Sequence, residues 1–395
     1  MCTSYPQPVR LHDGRTGQLV DVETRPRMGV YVCGITPYDS AHVGHAFTYV
    51  HFDVLVRYLR RGGTEVTHVQ NVTDVDDDIL RVARERGVDF RELAARETEK
   101  FAKDMGALGV TPPTVSPRAT EFVPEMVEEV ERLVAAGLAY ERHGNVYFRV
   151  AADLQYGRLS RLSRQEMLRL AEERGGHPED PEKDDPLDFV LWQRSAPDDP
   201  WWDSPWGRGR PGWHIECSTM ARRLLGSPVD IHGGGDDLVY PHHESELAQA
   251  EGVPGGAPFV RHWMHTGSVA QEGTKMSKSL GNLVFVGDLL ERFDGTTIRS
   301  FLLRHHYRED WEFDEDVLEG FDDRSEAGLV PSERKAPFTS EDREAFYGAL
   351  DRDLDTPAAL AVLDRAASWP DDPDARKLLD EGTDLLGLAA PGGFR

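Results

Sequence analysis

The tetrapeptide His42-Val43-Gly44-His45 follows a short β-rich run and opens a long helical stretch. At a helix N-terminus, unpaired N–H groups and the positive end of the helix dipole favour phosphate. Gly44 lets a nucleotide approach the backbone, and two imidazoles can donate hydrogen bonds to a phosphate as its charge rises. Much later, Lys275-Met276-Ser277-Lys278-Ser279 lies in a glycine-flanked polar loop. Two lysines so close in one loop can clamp a polyphosphate leaving group. Alone, the first segment reads as a capping turn with surface histidines and the second as a solvated basic loop. Their positions after the first and last strands of one predicted parallel sheet bring them to one site.

A second set is Cys33, Cys217, His242 and Glu246. Cys33 ends the first predicted strand, Cys217 lies on a helix opened by Trp213 and His214, and His242 with Glu246 is an i, i+4 pair that one helical face can present. A lone buried cysteine is more often a small hydrophobe. That reading weakens here because both cysteines lie beside the nucleotide segments. Thiolate and imidazole ligands favour zinc over magnesium or calcium, and zinc can take the thiolate of a cysteine substrate where serine offers only a poor hydroxyl ligand. Gly207, Gly209 and Gly212 also match a dinucleotide pattern, but no strand precedes them and Pro211 sits inside the turn, so that reading is discarded.

The elements that must hold these groups follow a βαβ grammar. Met28 to Cys33 and Glu65 to Val72 read as strands around a helix at Ala46 to Arg61, which points to a parallel sheet. Arg91 to Met105 and Glu121 to Ala136 read as amphipathic helices, and Tyr140 to Val150 as a hairpin followed by a polar segment as far as Trp206. Sheet grammar returns with a helix at His214 to Leu225, a strand at Val229 to His232, a helix near His243 to Glu251 and a strand at Phe259 to His265. After about Gly295 only helical patterns remain; Gly328 to Thr339 reads as a linker into closing helices near Glu341 to Arg352 and Thr356 to Ser368. The expected fold is α/β: a Rossmann-like parallel-sheet domain at 1–111 and 207–294, an inserted connective subdomain at 112–206, and a C-terminal helical domain at 295–395.

With 395 residues, 39% of them hydrophobic, the chain has ample material for a core. Its net charge of −25 opposes broad binding to a phosphate backbone, which draws its energy from clustered Lys and Arg. Three cysteines, Cys2, Cys33 and Cys217, leave no disulfide framework. No run approaches the ~20 apolar residues of a membrane span. A soluble, cytoplasmic protein is the expectation.

Together the two phosphate segments resemble the signature pair of class I aminoacyl-tRNA synthetases, and hence an adenylate-forming site. Cys33-Gly34-Ile35-Thr36, Asn71-Val72-Thr73-Asp74-Val75-Asp76-Asp77, Gly212-Trp213-His214-Ile215-Glu216-Cys217-Ser218, His232-Gly233-Gly234-Gly235 and Pro241-His242-His243-Glu244 look like the cysteinyl branch, over most of the chain. Within it, Pro37, His45 and the segment Glu173-Arg174-Gly175-Gly176-His177-Pro178 resemble the mycothiol cysteine ligases, as does an end shortly after Leu385-Leu386-Gly387-Leu388. Glu246 instead matches the fourth metal ligand of the tRNA synthetases.

The resemblance implies an ATP-dependent, AMP-forming cysteine ligase that activates L-cysteine as cysteinyl-AMP and passes it to the amine of glucosaminyl-inositol. A cysteine–tRNA ligase, or a ligase for another amine, is the alternative. It implies one zinc ion and ATP with Mg²⁺ as substrate, small-molecule partners rather than tRNA, and His42, His45, Lys275 and Lys278 as the catalytic groups. Carried over residue by residue, it puts Cys33, Gly34, Ile35, Thr36, Thr48, Asn71, Val72, Thr73, Trp213, Gly235, Asp236, Asp237 and Val269 against the adenylate. A non-catalytic binding module would have lost part of the metal set or the lysines, and all are present.

Overall fold

The computed structural model describes residues 9–252, 258–276, 281–331 and 337–388, and of Lys275 the backbone alone. Its centre is a parallel sheet in the order Val260–Thr266, Val229–Gly235, Arg27–Ile35, Glu65–Val72. The Arg27–Ile35 strand is buried on both faces, as a central parallel strand must be. Its side chains alternate: Met28, Val30 and Val32 pack into one core with the helix Val43–Arg61, while Tyr31 and Cys33 enter a second core with Ile215, Cys217 and Met220 of the helix Trp213–Leu225. Period two therefore aims Cys33 at Cys217.

The chain first leaves the central strand toward Glu65–Val72 and later returns on its other side as Val229–Gly235. The strand order reverses between these neighbours, and in open α/β sheets ligands bind at the carboxyl ends of the strands beside such a switch point. Cys33 and Gly233 to Gly235 lie there.

Between the halves of the sheet stands an antiparallel sheet, Ala139–Arg142, Asn145–Phe148, Phe189–Arg194 and Gly209–Pro211, with the helix Val123–Ala135 packed on it. The segment up to Trp206, expected to be merely polar, contains the helix Arg164–Glu173 and the strand Phe189–Arg194. Ser163 and Glu166 form a capping box that starts the helix, with Ser163 N donating to Glu166 Oε2 at 2.9 Å. The discarded glycine pattern is the edge of this sheet.

Beyond Gly295 the helices are Gly295–Leu303, Glu315–Asp322, Ser340–Asp351, Thr356–Ala367 and Pro373–Leu385. The expectation of helix alone fails at Trp311–Glu312, a two-residue strand parallel to Val269–Gln271, which also pairs with Thr274–Lys275. The C-terminal helices are tied to the core by Arg299, which is wholly buried. Its guanidinium reaches Asp53 Oδ2 at 2.6 Å, Leu386 O at 2.6 Å and Leu108 O at 3.1 Å. Arg57, one turn along the helix from Asp53, holds the same carboxylate at 2.7 Å.

Candidate active site and metal centre

The crevice is shaped by close backbone approaches. A Cβ on Gly34 would lie 1.5 Å from the carbonyl oxygen of Asn71, so no side chain fits there. The Asn71 side chain bridges the two strands: Oδ1 accepts from Gly34 N at 2.9 Å and Nδ2 donates to Thr73 Oγ1 at 3.2 Å. Ile35 pairs with Val72 in the sheet. Thr36 bonds the carboxyl of Asp76, which also caps the next helix through Ile79 N at 2.9 Å. Burial pushes that carboxyl up to about 6. Thr48 and Thr266 share a hydroxyl hydrogen bond of 2.7 Å, and Asp236 Oδ1 accepts from Ser268 Oγ at 2.6 Å. Gly235 and Asp237 enter the turn after the third strand, and Val269 is buried beside it.

His42 is the N-cap of the Val43–Arg61 helix, its Nδ1 accepting from His45 N at 3.3 Å. Accepting at Nδ1 leaves the ring proton on Nε2. The two imidazoles stack with centroids 3.7 Å apart. This turn is zipped to the chain that follows the lysine segment: Val43 N donates to Val284 O and Val286 N to Ala41 O, both at 2.9 Å. On the other side Met276 N donates to Val269 O at 3.0 Å. The described chain is thus fixed on both sides of residues 277–280, at Met276 and, beside His42, at Val284 and Val286. Lys275 belongs by its backbone to the short strand Thr274–Lys275 rather than to a loop, and Lys278 lies outside the described residues.

The sulfur, imidazole and carboxylate groups meet in the core between the sheet and the Trp213–Leu225 helix. Ligand atoms of Cys33, Cys217, His242 and Glu246 all lie within 4.8 Å of one another, and all four residues are buried. His242 Nε2 is 3.1 Å from Glu246 Oε1, and its other nitrogen, Nδ1, is 3.0 Å from Nδ1 of His214. One ring nitrogen aimed inward and the other held by an outer partner is the usual disposition of a ligating histidine. Trp213 stacks on His242 at 4.2 Å.

A second grouping, Cys33, His232, His243 and Glu246, shares two members with the first. Cys33 Sγ lies 3.3 Å from His243 Nε2, and His243 Nδ1 lies 2.8 Å from His265 Nε2. The first set, with two sulfurs, fits zinc better. Burial holds the Glu246 carboxyl far above the usual carboxylate range and the Cys33 thiol above its ordinary value, and it pushes His214, His232 and His265 down to about 3. Glu246 Oε2 is buried and makes no hydrogen bond, its near neighbour being His232 Nε2 at 3.3 Å. A buried carboxylate oxygen left unsatisfied beside two sulfurs and an inward-facing imidazole fits a divalent cation.

The sequence reading did not assign His214, His232, His243 or His265 a place in this centre. Signals were present: the doublet His242-His243 puts His243 at i, i+3 from Glu246, and His232 ends on the glycine-rich strand. It also missed the grip of Arg174, whose guanidinium donates to the carbonyls of Asp237 and Tyr240 in the turn leading to His242.

Residues 19–322, which include the parallel sheet and the histidine-capped helix at its switch point, match the family described as the tRNA synthetases class I (C) catalytic domain. The L-cysteine:1D-myo-inositol 2-amino-2-deoxy-alpha-D-glucopyranoside ligase of Nocardiopsis dassonvillei is 46% identical over 372 residues, 92% of this chain and 89% of the relative. That of Thermobifida fusca is 44% identical over 97% of this chain and 95% of its own length. The cysteine–tRNA ligase of Geobacter sulfurreducens is 50% identical over a shorter span, 74% of this chain and 60% of that protein. In fold, the chain is similar to Mycobacterium tuberculosis methionyl-tRNA synthetase in complex with methionyl-adenylate, with TM-score 0.63, 17% identity and coverage of 92% and 90%. The chain belongs to this class I family, in the branch of the L-cysteine:inositol glucosaminide ligases.

Proposed function

We propose that the protein activates L-cysteine with ATP and transfers it to the amine of 1D-myo-inositol 2-amino-2-deoxy-α-D-glucopyranoside, the acceptor of mycothiol biosynthesis. The observation that carries this reading is the match, at 46% identity over 92% of this chain and 89% of the relative, to a ligase named for that reaction. The net charge of −25, which opposes an extended RNA surface, supports it.

In the first half-reaction a carboxylate oxygen of cysteine attacks the α-phosphorus of ATP, brought as its Mg²⁺ complex, and pyrophosphate leaves. His42 and His45 donate hydrogen bonds to the phosphate as charge grows on it, and Lys275 with Lys278 holds the departing pyrophosphate. Cys33, Gly34, Ile35, Thr36, Thr48, Asn71, Val72, Thr73, Trp213, Gly235, Asp236, Asp237 and Val269 line the place of the adenylate. Cys33, Cys217, His242 and Glu246 would hold zinc, whose chemistry there is to bind a thiolate in preference to a hydroxyl.

In the second half-reaction the neutral amine attacks the carbonyl carbon of cysteinyl-AMP. The carbon–oxygen bond to AMP breaks, the amide forms and the nitrogen loses a proton. Glu173 to Pro178, whose Arg174 donates to the carbonyls of Asp237 and Tyr240, is the segment we assign to the acceptor.

The test is to give the purified protein ATP and labelled cysteine with either glucosaminyl-inositol or tRNA. Formation of cysteinyl glucosaminyl-inositol is expected. Charging of tRNA, with no turnover of the amino sugar, would return the chain to the tRNA ligase reading.

A further inference from the structure

The turn from Gly235 to Glu244 does two jobs, since it carries Asp236 and Asp237 at one end and His242 at the other, yet its own backbone is poorly suited to hold it. Residues Asp236–Leu238 make a single 3₁₀ turn, and within Val239–His243 the backbone of Tyr240 is extended, at φ −136° and ψ 135°. The next residue, Pro241, has no N–H to give. A turn broken in this way leaves carbonyl groups that need donors from elsewhere.

The inserted subdomain supplies them. Arg174, half-buried, donates through one nitrogen to the carbonyls of both Asp237 and Tyr240. The end of its helix aims it there. Gly175 takes φ +76°, Gly176 N closes back on Ala171 O at 2.7 Å, and a Cβ on Gly176 would lie 2.8 Å from that oxygen. Lys183 in turn donates to Gly176 O. From its other side the subdomain grips the residues that follow: Leu159 N and Ser160 N donate to Glu244 Oε2 at 3.1 and 2.7 Å, and Tyr156 Oη lies 3.3 Å from Ser245 Oγ.

We infer that Arg174 is a positioning residue for cysteine recognition: by closing the Asp237–Tyr240 turn it sets His242 in the metal centre and couples the acceptor segment Glu173 to Pro178 to the amino-acid pocket. The inference rests on the proposed ligation for one of its readouts, cysteine-dependent exchange of pyrophosphate into ATP. Neither readout uses the amine acceptor, so a wrong acceptor would not change the outcome.

The variants are Arg174→Ala and Arg174→Lys, with Arg169→Ala as a control, because Arg169 is solvent-facing on the same helix and pairs with Glu173, at 2.6 Å. For each, Co²⁺ is titrated into metal-free protein and followed by its d–d and sulfur-to-metal absorption, and KM for cysteine and kcat are measured by exchange. Arg174→Ala is expected to weaken Co²⁺ about tenfold, the low end of the effect of removing a direct outer partner of a metal ligand, because Arg174 acts on His242 through the turn. It should raise the KM for cysteine about tenfold or more while kcat at saturation stays within about threefold, since uniform binding is what is lost. Arg174→Lys should recover part of both effects and Arg169→Ala should match the parent. Parental Co²⁺ affinity and KM in Arg174→Ala would overturn the inference, as would equal losses in every parameter that follow the unfolding midpoint. Should Arg174→Ala fail to fold, Arg174→Lys decides alone: a shift in KM without a shift in kcat supports the inference, and parental values refute it.

Discussion

Two substitutions can separate the cap that His42 forms from the catalytic role proposed for it. As N-cap, its Nδ1 accepts the hydrogen bond from His45 N. As a proposed catalytic donor, its Nε2 proton faces the developing charge on phosphate. Asparagine keeps a side-chain oxygen able to accept from the same N–H and ranks among the best N-caps, whereas alanine removes the cap at a cost of about 1 kcal/mol. Both replacements remove the imidazole donor, which at a transition state is worth about 2.7 to 4 kcal/mol, a rate factor of about 10² to 10³. The ring stack on His45, at 3.7 Å, is lost in both and so cancels between them. Pyrophosphate exchange should therefore fall about 10²- to 10³-fold in His42→Asn and His42→Ala alike. Urea unfolding should show the alanine variant about 1 kcal/mol less stable than the asparagine variant. If His42→Asn exchanged pyrophosphate at the parental rate, or if the losses in rate followed the losses in stability, His42 would be a cap and nothing more.

Cys217→Ser should lose or greatly reduce bound zinc by metal analysis and erase the preference for cysteine over serine in exchange; retention of both would remove zinc as the selector. Arg299→Met leaves the buried carbonyls of Leu386 and Leu108 without this donor while Asp53 keeps Arg57, and because an unsatisfied buried acceptor costs about 1 to 3 kcal/mol, the midpoint of urea unfolding should drop accordingly. His51 is fully buried, and burial pushes its imidazole from 6.5 down to about 3. The unfolded chain therefore binds a proton below about pH 6.5 that the folded chain refuses until about pH 3, so stability falls as pH drops through that window. Between pH 7 and pH 5 this residue alone should account for about 2 kcal/mol of that loss, and His51→Gln should lose correspondingly less.

The central sheet was readable because parallel strands buried on both faces announce themselves as short, mostly apolar runs, as at Met28 to Cys33, and because Gly62 ends the intervening helix plainly. Between the halves of the sheet the helix Val123–Ala135 and the hairpin of Ala139–Arg142 and Asn145–Phe148 were legible, but the strand Phe189–Arg194 was passed over within its polar, acidic surroundings, and Trp311–Glu312 is a strand only because Val269–Gln271 is there to pair with it. The ligand quartet could be read from residue type and from its neighbours in sequence. Of the surrounding histidines, His243 and His232 left a signal in the doublet and the glycine-rich run, whereas His265 sits in another strand and only the fold carries it to His243. Arg174 illustrates the same limit, because a surface-type residue in a glycine-rich segment gives no sign of the carbonyls it will find 63 and 66 residues away.

The Arg299 tie also orders events in time as the chain is made. Asp53 is synthesised 246 residues before its buried partner, and the carbonyl of Leu386 follows Arg299 by a further 87. At about 5 to 20 residues per second, the first helix exists for about 12 to 50 s before Arg299 emerges. During that interval Asp53 has Arg57, its local partner at i, i+4, which needs no other part of the protein to reach it. The nascent helix can thus form with its acid already neutralised, and the second arginine locks it once the distant helices arrive. Replacing Arg57 should therefore slow productive folding during synthesis out of proportion to its effect on the finished protein, a difference that refolding kinetics of the complete chain against yields from coupled translation would expose.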